Sequence, residues 1–334
     1  MKEYDLYGVG NGILDLLCEI TEEGFAKLKI DKSSFALVSS KELALIMKEI
    51  EPFIRSRNVA SGGSVANSVA ICATLGAKTA FTCGIGDDQN GLRYIEDFQK
   101  LSTLVLAKKI TNGESGVCLA MITPDAHRTM RTFLGVAGDI APSDVDQEVL
   151  ANSKVVFLEG YLLANPKSGF ATIEMTAKQA KKSSTIVALS LSDPAIVTAH
   201  KEELLKIFPL IDMIICNHLE AAELSHDLNP IESVRKLKEL VPQVIVTASE
   251  QGAYYSLDGE ISHQPAYPCK LVDLTGAGDA FAGATLRALC AGAPIDMAVK
   301  SGAFVAAQVI SQIGARLPLE FQQRWKSSFG GVRR

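Results

Sequence analysis

Four short apolar runs, KVVFLEG (154–160), TIVALS (185–190), DMIICN (212–217) and QVIVTAS (243–249), alternate with helix-length segments at 167–182, 195–207 and 230–240. Short runs rich in β-branched residues read as strands, and the segments between them are long enough to be helices. A strand, a helical crossover and a second strand make a βαβ unit, whose strands pair in parallel under helices on both faces. DLYGVG (5–10) and KTAFTCG (78–84) read as further strands, and SVANSVAICATLG (64–76) as a helix rich in small residues. The expected fold is a three-layer α/β/α, doubly wound, mostly parallel sheet. With 334 residues, 47% of them apolar, the chain can bury one large core, so a single domain over 1–334 is expected.

Some segments do not fit this alternation. ILDLLCEI (13–20) and SSFALVS (33–39) read as extended, followed by a helix near 41–49. GVCLAMI (116–122) and HRTMRTFL (127–134) read as a hairpin turning at TPDA. Together, 13–39 and 116–134 are expected to form a small separate sheet that acts as a lid.

A net charge of −5 argues against nucleic acid or an anionic membrane as the main partner. The seven cysteines are odd in number and lack zinc-ligand spacing, and Cys72, Cys83, Cys118, Cys216 and Cys290 sit among apolar or small neighbours. They read as reduced core residues. The N-terminus mixes charge into its first residues, and the charge-free stretch 58–77 is broken by SGGS, so it reads as a buried helix with a glycine-rich start. A cytoplasmic location is expected.

The chemistry centres on DLTGAGDAF (273–281), which opens the helical run AFAGATLRALCAG. A helix N-terminus presents unpaired N–H groups and partial positive charge, and small residues at 276–278 let an anion approach that backbone. A carboxylate there, Asp279, suits a proton acceptor for a hydroxyl attacking a bound phosphate. An ordinary glycine-rich turn with a first-turn acid is the plainer alternative at this stage. A Walker A loop is absent. GVGNG (8–12) suggests a dinucleotide fingerprint, but Ile13 stands at the third glycine position and a strand follows where a helix is needed.

DLTGAGDAF resembles the C-terminal signature of the ribokinase-like, PfkB-type superfamily of sugar and nucleoside kinases. SGGSVANSVAICATLGA (61–77), GIGDDQNG (84–91) and NHLE (217–220) resemble three further motifs of that superfamily, in its order. The resemblance implies an ATP-dependent kinase in which Asp279 is the general base and Gly276, Ala277 and Gly278 cradle the γ-phosphate. It implies acceptor contacts from Asn11, Asp15, Gly62, Gly63 and Asn67. Asn217 and Glu220 would orient Mg²⁺ and the triphosphate, with Glu220 acting through water, although the pair also has capping-box spacing. Thr247, Ser249, Gly252 and Ala303 lie where family members meet the nucleotide. Asp273 and Thr275 lie where many bind a monovalent cation such as K⁺. Arg128 resembles a position that reaches the transferring phosphate, while a solvated hairpin face is the alternative for Arg128 and Arg131.

The stretches GNGILD, LKIDKSSFALVSS and ESGVCLAMITPDAHRTMRTFLG look most like a bacterial adenosine-kinase branch. That implies adenosine as acceptor, with ribose, fructose or a keto-sugar acid as the alternative. A non-catalytic ligand-binding protein is a further reading, disfavoured by the retained base. To cover a purine the lid should turn apolar residues to the cleft, and Leu16, Phe35, Leu37, Val117 and Leu119 are the candidates. An exposed lid edge would also suit pairing with a second copy.

Overall fold

A computed structural model describes residues 2–329, apart from Ala126 and the side chain of Phe35. In chain order the strands are β1 Tyr4–Val9, β2 Ile13–Ile20, β3 Phe35–Leu37, β4 Ile54–Gly62, β5 Thr79–Gly86, β6 Leu104–Ile110 and β7 Gly116–Ile122. They continue with β8 Arg128–Phe133, β9 Ser153–Glu159, β10 Ile186–Ser190, β11 Met213–Asn217, β12 Gln243–Thr247, β13 Ala253–Leu257 and β14 Glu260–Gln264. Nine of them form one sheet in the order β14-β13-β12-β11-β10-β9-β1-β5-β6. From β12 to β6 all neighbours are parallel, and β13 and β14 extend the edge antiparallel.

Strand alternation sends neighbouring residues into two different cores. Tyr7, Val156 and Leu158 pack on one face with Ile173, Val197 and Val234 from its covering helices. Leu6, Val155 and Phe157 pack on the other with Val65, Val69, Phe281 and Val299. Both faces are therefore dry, which is why these strands read as unbroken apolar runs. Among the cysteines, Cys72, Cys83, Cys118, Cys216 and Cys290 are buried and unpaired. Among the described residues no helix is long and apolar enough to cross a membrane.

Five strands form the smaller sheet, in the order β3-β8-β7-β2-β4. Its outer face packs on two helices, Glu22–Lys27 and Ser40–Ile50, through Cys18, Ile20, Phe25, Leu43, Leu119 and Met121. The second of these helices starts with a complete capping box between Ser39 and Glu42. One reading needs correction here. The stretch 58–77 is not one helix, because β4 occupies its first residues and the helix runs only over Ser64–Thr74. β4 pairs antiparallel with β2 and buries only its last two residues, so it carries no apolar alternation to announce it. The helix Gln89–Gln99 and the strands β6, β13 and β14 were also unassigned from the sequence.

Candidate active site

The pieces of the site gather at the C-terminal ends of the parallel strands, where open α/β sheets place their ligands. Asn11 follows β1, Glu159 ends β9, Asn217 ends β11 and Thr247 ends β12. The helix Ala277–Cys290 begins beside them, with Gly276 as its N-cap at φ 71°. A Cβ at Gly276 would lie 2.3 Å from that of Ala315, so the turn needs glycine both for its backbone angle and for room. A Cβ at Gly278 would meet nothing within 4 Å, because it faces open space. Among the described residues, the amides of Gly278 and Asp279 have no hydrogen-bond acceptor. This is the unpaired, positively polarised helix end that an anion can occupy.

Asp279 is held from the neighbouring helix Ser64–Thr74. Ser64 Oγ donates to its Oδ1 at 2.7 Å, and Asn67 Nδ2 donates to its Oδ2 at 2.9 Å. The two helices approach this closely because a Cβ at Gly283 would lie 2.4 Å from the Ser68 carbonyl oxygen. Burial pushes the Asp279 carboxyl above its ordinary pKa, against the opposing pull of Asn67, Ser64 and Arg316. A half-buried carboxylate with raised proton affinity, one turn inside an anion-binding helix end, can accept a proton from an incoming hydroxyl.

The opposite wall of the cavity is built by β2 and β4. Asp15 is level with Ala60 of β4 and with Cys118 of β7, and burial raises its carboxyl to about 6 despite Arg128 and Arg316 nearby. Gly62 makes room for that carboxylate, since a Cβ there would lie 2.3 Å from Asp15 Oδ2. Gly63 has φ 105°, and a Cβ would lie 2.1 Å from the Asn11 carbonyl. Both glycines thus serve close approaches within the protein. Asp15, Asn67, Arg128, Thr275 and Arg316 line a common cavity. Asn11 Oδ1 and Asn67 Oδ1 are buried and have no partner among the described residues.

Asn217 and Glu220 form a complete capping box on the helix His218–Ser225. The Glu220 carboxylate accepts from the Asn217 amide at 3.1 Å and from Asn217 Nδ2 at 2.5 Å, and burial raises it to about 7. The pair therefore caps its helix at the C-terminal end of β11. Thr247 donates to the Cys216 carbonyl at 3.3 Å, and Ser249 borders a shallow surface cavity with His218. Gly252 has φ 92°, and a Cβ there would lie 2.1 Å from the Gln264 carbonyl. Ala303 is buried in the core with Phe281 and Val299.

Arg128 reaches from β8 across the cleft and donates to both carboxylate oxygens of Asp273 at 3.1 Å. Thr275 and the Gly314 amide complete the shell of Asp273, and these contacts outweigh burial to keep its pKa low. Arg131 turns the other way and ties β8 to Ser34.

The lid candidates need correction. Leu119 lies in the outer core of the small sheet, and Leu16 and Val117 pack against it. The pairing of Asp15 with Ala60 and Cys118 puts Asp15 on the cleft face, so its neighbour Leu16 must point outward. Leu37 is 58% exposed, and the Phe35 side chain lies outside the described residues. Next to the acceptor site the cleft face is mainly small or polar: Asp15, Asn58 and Ala60, with Leu17 as an apolar exception.

Three site residues were missed from the sequence. Ser64 lay inside the SGGSVAN motif without a role. Glu159 is fully buried and accepts from the amides of Asn11 at 2.7 Å and Val65 at 2.9 Å. Arg316 had no local signal, since only the fold carries the chain after the helix Ile295–Val309 back to β4.

A helix end with unpaired amides, a carboxylate beside it and an adjoining cavity lined by Asp15, Asn67, Arg128 and Arg316 make up the site. The chain matches the pfkB family carbohydrate kinase model over residues 43–322 and belongs to that family of ATP-dependent kinases. It is 26% identical to the adenosine kinase of Saccharomyces cerevisiae over 333 residues, 93% of this chain and 96% of that one. It is 28% identical to the 5-dehydro-2-deoxygluconokinase of Bacillus licheniformis over 264 residues, 75% of this chain and 81% of that one. Among solved structures, a probable sugar kinase from Rhizobium etli superposes with TM-score 0.88 at 28% identity, covering 98% of this chain and 99% of that one. The adenosine kinase from Sinorhizobium meliloti gives 0.87 at 27% identity, covering 96% and 99%. The dinucleotide and non-catalytic readings fall away with this assignment.

Proposed function

We propose that the protein transfers the γ-phosphate of ATP to the hydroxymethyl oxygen of a nucleoside, adenosine, giving AMP and ADP. The observation that carries the reaction type is Asp279, fixed by Ser64 and Asn67 one turn inside a helix end with free amides. The acceptor oxygen attacks the γ-phosphorus as the bond to the β-phosphate oxygen breaks, and its proton passes to Asp279. Charge on the transferring group is met by the amides of Gly276 and Gly278 and by the helix dipole, while the Ala277 amide is already bonded to the Leu274 carbonyl at 3.3 Å. Asp15 and Asn67 hold acceptor hydroxyls, with Asn11, Gly62 and Gly63 shaping the floor. Thr247, Ser249 and Gly252 border the nucleotide, and Ala303 supports that wall from the core.

Adenosine is supported by the adenosine-kinase match over 93% of the chain. A second reading, a small sugar or keto-sugar acid, is favoured by the polar cleft face and the outward turn of Leu16 and Leu119.

Glu220 suits Mg²⁺ held through water, because its buried carboxylate meets only neutral donors from Asn217. The ion would neutralise phosphate charge during transfer. Asp273 and Thr275 fit a monovalent cation poorly as arranged, since Arg128 already occupies that carboxylate. Released from Asp273, Arg128 would instead face the transferring phosphate. The exposed outer strand β4 is the edge where a second copy would pair, giving a dimer by sedimentation velocity.

Steady-state assays with ATP and adenosine, ribose, fructose and a keto-sugar acid test the proposal. The highest kcat/KM is expected for adenosine, and a preference for any free sugar would overturn that choice. Omitting Mg²⁺, or replacing K⁺ by tetramethylammonium, tests the ions in the same assay.

A further inference from the structure

Arg316 is a cation with a buried guanidinium that the reaction outlined above leaves unused. One face of its guanidinium lies over the Phe98 ring, 5.0 Å from the centroid. Nη2 donates to the Ser61 carbonyl and, at 3.0 Å, to Ser61 Oγ, and Asp97 in turn binds the Ser61 amide and hydroxyl. These contacts fix the plane of the group. Its other two nitrogens, Nε and Nη1, are buried and have no acceptor among the described residues. Leaving charged N–H groups unpaired is costly unless something fills the site. The cavity that Arg316 lines also holds Asp15 and Asn67.

The chemistry of the pair is complementary. An ionised carboxylate only accepts, so Asp15 can bind a hydroxyl solely through its proton. The oxygen of that hydroxyl keeps lone pairs that need donors, and guanidinium N–H groups only donate. We propose that Arg316 is an acceptor-binding, specificity-determining residue, which with Asp15 reads a ring hydroxyl of the substrate from both sides. The inference rests on the proposed kinase reaction. The substrate class it selects is a polyol that keeps the ring hydroxyl held between Asp15 and Arg316; analogues lacking that hydroxyl are rejected.

The test is a substrate-by-variant cycle on the full-length protein. kcat/KM is measured for adenosine against 2′-deoxyadenosine and 3′-deoxyadenosine, and for ribose against 2-deoxyribose, in wild type, Arg316→Met and Arg316→Lys. Wild type should prefer a hydroxylated acceptor by roughly 10–100-fold. Arg316→Met should bring that ratio close to one while the KM for ATP stays within about threefold. Arg316→Lys, which keeps a donor, should restore part of the ratio. A purely structural Arg316 would lower both rates together and leave the ratio intact, and that result would overturn the inference alone. Lack of wild-type turnover on every acceptor would overturn the kinase reading, and this inference with it.

Discussion

Asp279 and Glu159 both bond to the start of the Ser64 helix, and their partners assign them different work. Asp279 accepts from two side chains and stays partly exposed, whereas Glu159 accepts only backbone amides and is fully buried. Burial raises Glu159 to about 7, above the ordinary carboxyl value of 4.5. Between those values the folded chain keeps a proton that the unfolded chain has released. The contribution of Glu159 to stability therefore falls as pH rises from about 5 to about 8. Relative to Glu159→Gln, the wild type should lose about 1–3 kcal/mol over that range in urea unfolding. A pH-independent difference would show that Glu159 stays ionised throughout. Asp279 was legible at this scale because it sits in a contiguous motif, DLTGAGD. Glu159 was not, because its partners lie 148 and 94 residues away in sequence and only the sheet order makes them neighbours.

At the scale of elements, two glycines in one motif do different jobs. Gly276 is confined by its φ of 71° and by Ala315, while Gly278 borders empty space. Gly276→Ala should therefore cost stability, by about 1–3 kcal/mol, together with activity. Gly278→Val should leave the melting temperature within about 2 °C, since the substitution is a single exposed helix residue. It should still cut kcat at least about 100-fold by filling the anion's place. Equal thermal destabilisation by both variants would contradict this division. The buried parallel strands were readable because each is an apolar run between helix-length segments. β4 was not, because the residues Arg55–Val59 are exposed and its pairing with β2 rests on backbone bonds. The facing of the lid differs from the expectation for a simpler reason. Asp15 and Leu16 are adjacent in one strand, so assigning both to the cleft contradicts the pleat.

The whole molecule brings two parts together over one edge of the main sheet. The large sheet positions the helix end and Asp279, and the small sheet supplies Asp15 and Arg128. Contact between them includes the Arg128–Asp273 pair, whose side chains are 15% and 10% exposed. The central claim is that this assembly performs phosphoryl transfer with Asp279 as the proton acceptor. Its most direct test is kcat for Asp279→Asn, measured with adenosine and ATP alongside ATP affinity by calorimetry. Asparagine keeps the shape and can still meet Ser64 and Asn67, but it cannot take the proton. The variant should bind ATP within about threefold of wild type and lose roughly 10²–10⁴ in kcat. In the wild type, kcat/KM should fall as the pH is lowered through the raised pKa of Asp279, because the base is then protonated. Near-normal turnover by Asp279→Asn, with the same pH profile as wild type, would contradict the account.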